Sequence, residues 1–144
     1  MEAKRQLDNC RLAKRLWLER VRPEQVNLEV WYCGTHACFG GWLARWPEFN
    51  EQGVYPRRYG APSMGIALSR DVSRFLFGNT NMFRSRNSCL EFDTDYQVVL
   101  NRLDARIAEI LKEHPELDDD GFKDFMAKVQ EPLGDRAYPV EIDE

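Results

Sequence analysis

Apolar positions recur every three or four residues from Ala3 through Leu7, Cys10, Ala13 and Trp17 to Val21, with Leu16 widening the stripe. This spacing predicts an amphipathic helix over 3–21. Lys4, Arg5, Arg11, Lys14, Arg15 and Arg20 fill its other faces, and Cys10 reads as a small core residue. Arg22-Pro23 marks the stop. Val26, Leu28 and Val30 then alternate with Asn27 and Glu29, a strand-like pattern over a very short window. A strand there needs a partner, either near Val54-Tyr55 or at 138–142. An extended lead-in to the next turn explains the same residues.

The next helix is expected from His36, capped by Thr35, to Trp46, with Pro47 ending it. Its interior Gly40-Gly41 pair costs on the order of 2 kcal/mol relative to two alanines. That cost predicts a buried helix crossed closely by another backbone. A loop with Gly53, Pro56, Gly60 and Pro62 follows over 48–63. Ser69 reads as the cap of a short helix facing inward through Val72, Phe75 and Leu76, which Gly78 ends. Thr94 and Gln97 form a capping-box pattern for the longest helix, whose apolar face runs from Tyr96 to Leu111 before His114-Pro115. A last short helix is expected after Asp118-Asp119-Asp120, and 131–144 reads as a loosely ordered acidic tail. The expectation is therefore one mainly α domain over 1–144, compact, with about five helices and room for one short β-hairpin.

With 144 residues, 43% hydrophobic and 31% charged, the chain is long enough to bury a core without disulfides. Its first residues are too polar for a signal peptide, and no apolar run approaches a membrane span. Four scattered cysteines fit reduced thiols, so a cytoplasmic location with no membrane partner is expected. The net charge of −4 hides a polarity: residues 1–88 balance to +6 and residues 89–144 to −10. Two ordinary solvated surfaces explain this most simply; internal docking and separate partner faces are the alternatives.

The densest chemistry lies at 31–46, Trp-Tyr-Cys-Gly-Thr-His-Ala-Cys-Phe-Gly-Gly-Trp-Leu-Ala-Arg-Trp. Cys33, His36 and Cys38 lack the second Cys/His pair that structural zinc uses, so no metal is expected. A nucleophilic Cys33 or Cys38 with His36 or His114 as base, oriented by Asp93 or Asp95, is the catalytic alternative. The surrounding aromatics argue instead for two structural cysteines in a buried turn. Glu91, Asp93 and Asp95, and the run at 118–120, read as helix-start electrostatics. No phosphate-binding loop or dinucleotide fingerprint occurs, and no cofactor is expected. Arg57, Arg58, Arg84 and Arg86, with Tyr59, gather on two loops; arginine and tyrosine dominate interface energies, so these five form the expected binding surface. Arginines interleaved with aromatics over 55–86 also suit nucleic acid, although a pI near 5.3 weighs against it.

Three features together resemble a group of small, largely uncharacterised proteins of bacteria and their phages. These are the turn and helix Cys33-Gly34-Thr35-His36-Ala37-Cys38-Phe39-Gly40-Gly41-Trp42-Leu43, the helix from Leu68-Ser69 to Leu76-Phe77, and the capped helix from Thr94 to Ile110. The resemblance covers about residues 28–111 and departs at Gly40-Gly41 and in the long 78–93 loop. It implies a compact helical fold without an assigned activity, and an origin among phage-encoded proteins that bind host proteins. The expected function is accordingly a non-enzymatic, phage-like interaction protein that modulates a host protein or nucleoprotein. A cysteine-dependent enzyme and a nucleic-acid-binding protein remain the alternatives.

Overall fold

A computed structural model describes residues 2–57, 61–65, 67–86 and 91–118. Helix α1 spans Glu2–Arg20 and a 3-10 turn follows at Pro23–Gln25. Helices α2, Phe39–Leu43, and α3, Pro47–Asn50, are short. Strands β1, Tyr55–Pro56, and β2, Pro62–Ser63, pair antiparallel with Tyr55 opposite Ser63. Helix α4 covers Ser69–Phe77, α5 covers Asp95–Glu113, and a 3-10 turn closes the described chain at Pro115–Leu117. The fold is mainly α, with five α-helices and one short hairpin among the described residues. The segments expected to hold a last short helix and an acidic tail lie outside them.

Helix α1 packs against α4 and α5 through the stripe its sequence announces: Leu7, Cys10, Ala13, Leu16 and Trp17 are buried. Its polar faces are less free than their composition suggests. Arg11 and Lys14 are also buried, and Lys14 Nζ reaches Asp104 Oδ1 at 2.6 Å. Asn9 Nδ2 donates to the Leu76 carbonyl, and Arg5 to that of Phe75, so α1 holds the end of α4 by backbone as well as by packing. Phe39 centres an aromatic cluster, 5.6 Å from each of Trp17, Phe77 and Phe83 between ring centroids. Part of the charge polarity is satisfied within the fold, since Lys14–Asp104 and Arg86–Asp95 join the basic and acidic halves.

Three expected boundaries move. Helix α2 starts at Phe39 and not at His36, because residues 36–38 are held in extended contacts. Val26 and Ala37 form a parallel bridge, and the Cys38 N–H donates to the Val30 carbonyl at 2.7 Å. The alternating segment therefore pairs with the chain just beyond its own turn and not with Val54-Tyr55, while the expected partner at 138–142 lies outside the described residues. Pro47 begins α3 at its first position, where the missing N–H costs nothing. Ser69 is the first residue of α4, with Leu68 as the cap. Thr94 does cap α5, accepting from the Gln97 N–H at 3.3 Å, while the Gln97 side chain turns to Asn101. Gly78 ends α4 in the left-handed conformation, φ +74°.

Gly40 and Gly41 meet the close approach their position predicted. The crossing backbone is the loop at Trp31: a Cβ on Gly41 would overlap the Trp31 carbonyl, and one on Gly40 would press on the Phe83 and Trp31 rings.

Candidate functional site

Between the 28–31 loop, the first turn of α4 and the 80–85 segment lies an open cleft of about 540 Å³. Leu28, Val30, Trp31 and Phe83 supply apolar surface, and Ser69, Thr80, Asn81 and Ser85 supply polar groups. Cys38 also lines it. Arg70 and Arg84 bring positive charge from two different elements, and Glu29 is the acidic residue on the lining. Both arginines are exposed.

The walls are fixed by a network that consumes the neighbouring charges. Arg102, nearly buried, donates to both oxygens of Glu91 at 2.9 Å and to the carbonyls of Arg84 and Ser85 at 2.8 and 2.9 Å. Asp95 Oδ2 accepts the Leu28 N–H at 3.1 Å, while Oδ1 faces Arg86 Nη1 at 3.4 Å. One carboxylate thus ties both loops of the cleft to the start of α5. Arg70 and Arg84, by contrast, form no ion pair among the described residues. Among the described residues, the cleft thus presents two guanidinium groups without an ionic partner beside apolar side chains.

The five expected binding residues separate. Arg84 lines the cleft. Arg57 is exposed on the hairpin, beside β1, and Arg58 and Tyr59 lie outside the described residues. Arg86 is half-buried and committed to the Asp95 carboxylate and the Glu91 carbonyl, so it acts as a strut. The five expected residues omit Trp31, Glu29 and Arg70, although Arg70 falls among the 55–86 arginines of the nucleic-acid alternative. Arg70 sits beside the start of a readable helix, but only the folding of 80–85 back alongside α4 brings it near Arg84.

The Cys33 turn is a second, smaller constellation. The Cys33 N–H donates to the His36 carbonyl across a two-residue tip, with Gly34 at φ +97°. Cys33 is exposed, which corrects the expectation that both thiols are buried. Backbone N–H groups hold its pKa below the usual thiol value, that of Thr35 foremost, aided by that of His36 and by the Thr35 hydroxyl. Cys33 Sγ lies 3.2 and 3.1 Å from His36 Nδ1 and Nε2. Near-equal distances place the sulfur off the in-plane direction of either nitrogen, unlike an aligned hydrogen bond. No helix dipole acts on this thiol, because α2 begins at Phe39.

Cys38 is different. It is buried at the cap of α2, and burial pushes its thiol up to about 11. A thiol that resists ionisation at neutral pH is a poor nucleophile. The proposed orienting groups are occupied elsewhere, Asp95 as described and Asp93 by Asn101 Nδ2 at 2.9 Å. His114 stands at the far end of α5, 3.4 Å from Glu116.

Among the described residues no three His, Cys, Asp or Glu side chains are grouped as metal ligands. No helix among them is long and apolar enough to cross a membrane. In comparisons with known proteins the chain matches no family model, no curated protein and no solved structure.

Proposed function

We propose that this is a non-enzymatic, phage-like interaction protein that binds and modulates a host protein or nucleoprotein through the Arg70–Arg84 cleft. The carrying observation is the pairing of two arginines that have no ionic partner among the described residues with Trp31 and Phe83, in a cleft whose walls are braced from beneath. Arginines and large aromatics dominate interface energies, and a prearranged wall lowers the ordering cost of binding. Leu68, 58% exposed, immediately precedes the two α4 residues, Ser69 and Arg70, that line the cleft. The preferred ligand is an acidic group attached to an apolar one.

A photo-crosslinking residue in place of Ser85, an exposed residue of the cleft lining, tests this in host cells. A specific host protein should be captured, survive nuclease treatment, and disappear when Arg70 and Arg84 are both replaced by Ala. Capture that survives the double replacement rejects the cleft as the docking site. Capture that needs intact nucleic acid moves the reading to nucleic-acid binding.

A second reading rests on Cys33, whose exposure and lowered pKa suit a thiol nucleophile with His36 beside it. Saturable turnover lost in Cys33→Ser, with the fold unchanged, would place this reading first.

A further inference from the structure

We propose that a second, smaller pocket, between the 79–82 segment and the middle of α5, binds a phosphoryl dianion. This goes beyond the reading of the cleft, with which the pocket shares only Asn81 and Arg84.

The pocket measures about 220 Å³. Among the described residues its lining holds three arginines, Arg84, Arg102 and Arg106, against one carboxylate, Glu109. Asn79 and Asn81 complete its polar part. Pockets for small organic molecules start at roughly 300 Å³, so this one suits a ligand of ionic size.

The guanidinium groups are set in place by the fold. Arg102 and Arg106 stand four residues apart on α5, which puts them on one face of the helix. Arg106 Nε donates to the Phe77 carbonyl at 2.6 Å, and Nη2 reaches Gln6 Oε1 at 3.4 Å. Both partners are neutral, so they orient the guanidinium without cancelling its charge. Gly78 makes the room, since a Cβ there would overlap both Gln6 Oε1 and Arg106 Nη2. The Arg106 side chain is only 15% exposed, which limits solvent screening of its charge. Arg102 has another part. It is spent on Glu91 and on the carbonyls of Arg84 and Ser85, and so it fixes the backbone that carries Arg84.

Glu109 is the group a ligand must displace. It lies 3.4 Å from Arg106 Nη1 and its side chain is 59% exposed. Exposed ion pairs of this kind contribute little, so a dianion competes well for the same guanidinium. Arg106 has five N–H groups, and its contacts to Phe77, Gln6 and Glu109 take one each.

The arrangement of donors selects the class of anion. They come from α5, from the 79–81 turn and from Arg84. Asn79 Oδ1 accepts the Asn81 N–H at 2.7 Å, which leaves the Asn79 NH2 to donate to a ligand. A carboxylate has two oxygens in one plane, whereas a phosphoryl group has at least three in a pyramid and also matches the arginine fork.

Phosphorus NMR titration of the full chain with inorganic phosphate, at pH 8 and at ionic strength held constant with sodium chloride, tests this. Binding should saturate at one phosphate per chain with a Kd of about 1 mM, within reach of so small a ligand. Glu109→Gln removes the competing carboxylate and should tighten binding about threefold. Asn79→Ser keeps a short acceptor for the Asn81 N–H and should weaken binding about threefold. Arg106→Lys keeps the charge but loses the fork, and should weaken binding about tenfold if its melting curve shows a folded chain; if it does not fold, the other two variants decide. Binding that does not saturate overturns the proposal, as does an unchanged affinity in either Glu109→Gln or Asn79→Ser. Loss of phosphate binding in Arg70→Ala would place the anion in the cleft and also overturns it. Methyl phosphate forms the second arm: tighter binding than inorganic phosphate assigns an esterified phosphoryl group, and weaker binding assigns free phosphate. Host capture at Ser85 is scored separately, so failure of the cleft and failure of this pocket are told apart.

Discussion

The carbonyl of Trp31 occupies the space where a side chain on Gly41 would begin. Backbone cannot rotate aside as a side-chain end can, so Gly41→Ala must shift either the 30–31 loop or α2. The same loop is bound at the Cys38 N–H, and α2 carries Phe39 and Trp42 into the core. Gly41→Ala should therefore lose stability at or above the upper end of the roughly 1–3 kcal/mol typical of overpacking. Gly40→Ala, which meets only the Phe83 and Trp31 rings, should lose less. Urea denaturation of both variants checks the order; a gain for Gly41→Ala would show that no close crossing exists.

The helices with sustained periodicity were legible in the chain, and their reasons are visible. Leu7, Cys10, Ala13 and Trp17 return at helical spacing because α4 and α5 cover that one face of α1. Thr94 caps α5 by a local hydrogen bond that needs nothing distant. Misreadings fell where distant backbone decides. Thr35 has the chemistry of a cap, but Val26 and Val30 hold residues 37 and 38 extended, so the helix starts late. Cys33 was expected inside because aromatics surround it in sequence, yet a tight turn carries it out while Trp42 and Trp46 turn in. Arg86 and Arg84 look equivalent in sequence; only Asp95, placed by α5, makes one a strut and leaves the other facing a cleft.

Thiol labelling separates the three described cysteines. Cys33 is exposed with its pKa below the usual thiol value, whereas burial pushes Cys38 to about 11 and Cys10 to about 12. Cys33 should react with a maleimide rapidly in the native state near neutral pH, and Cys10 and Cys38 only after denaturation. Cys33→Ser should remove the fast phase assigned by mass spectrometry to the 31–46 region. A fast phase at Cys38 would mean that the cleft opens more deeply than this structure shows.

The buried acids give the fold an alkaline limit. Burial raises Cys10 to about 12, Cys38 to about 11 and Tyr96 to about 12, above the ordinary values of 9.0, 9.0 and 10.0 that hold once the chain unfolds. Between pH 9 and about 11 the unfolded chain has released protons that the folded chain retains. The unfolded state then binds fewer protons, so stability falls as pH rises. Each group contributes at most about 1.4 kcal/mol per pH unit. The melting temperature should drop from pH 8 to pH 10, and Cys10→Ala should shrink that drop relative to its own value at pH 8. An unchanged difference in that variant would remove Cys10 from the explanation.

Arginines that look alike in the sequence should behave in two ways. Arg70→Ala and Arg84→Ala remove exposed cations that have no ionic partner among the described residues, so each should change stability by less than about 0.5 kcal/mol. Arg86→Ala removes a half-buried cation from between Asp95 and the Glu91 carbonyl, leaving the Asp95 carboxylate, among the described residues, with its Leu28 N–H partner. It should cost about 1–3 kcal/mol, the range for stranding a hydrogen-bonded polar group. Binding should show the converse: the Arg70/Arg84 pair abolishes capture at an unchanged melting temperature, while Arg86→Ala weakens capture only as the fold loosens. Salt then sorts the partner. A nucleic-acid ligand held by these two arginines should weaken log-linearly with salt, with a slope of about 0.7–0.9 for each phosphate contacted, and the double replacement should reduce that slope by nearly two such steps. A protein ligand should lose affinity in the double replacement without that regular decrement. If Arg86→Ala leaves the melting temperature unchanged and abolishes binding by itself, the strut and the cleft have been assigned the wrong way round.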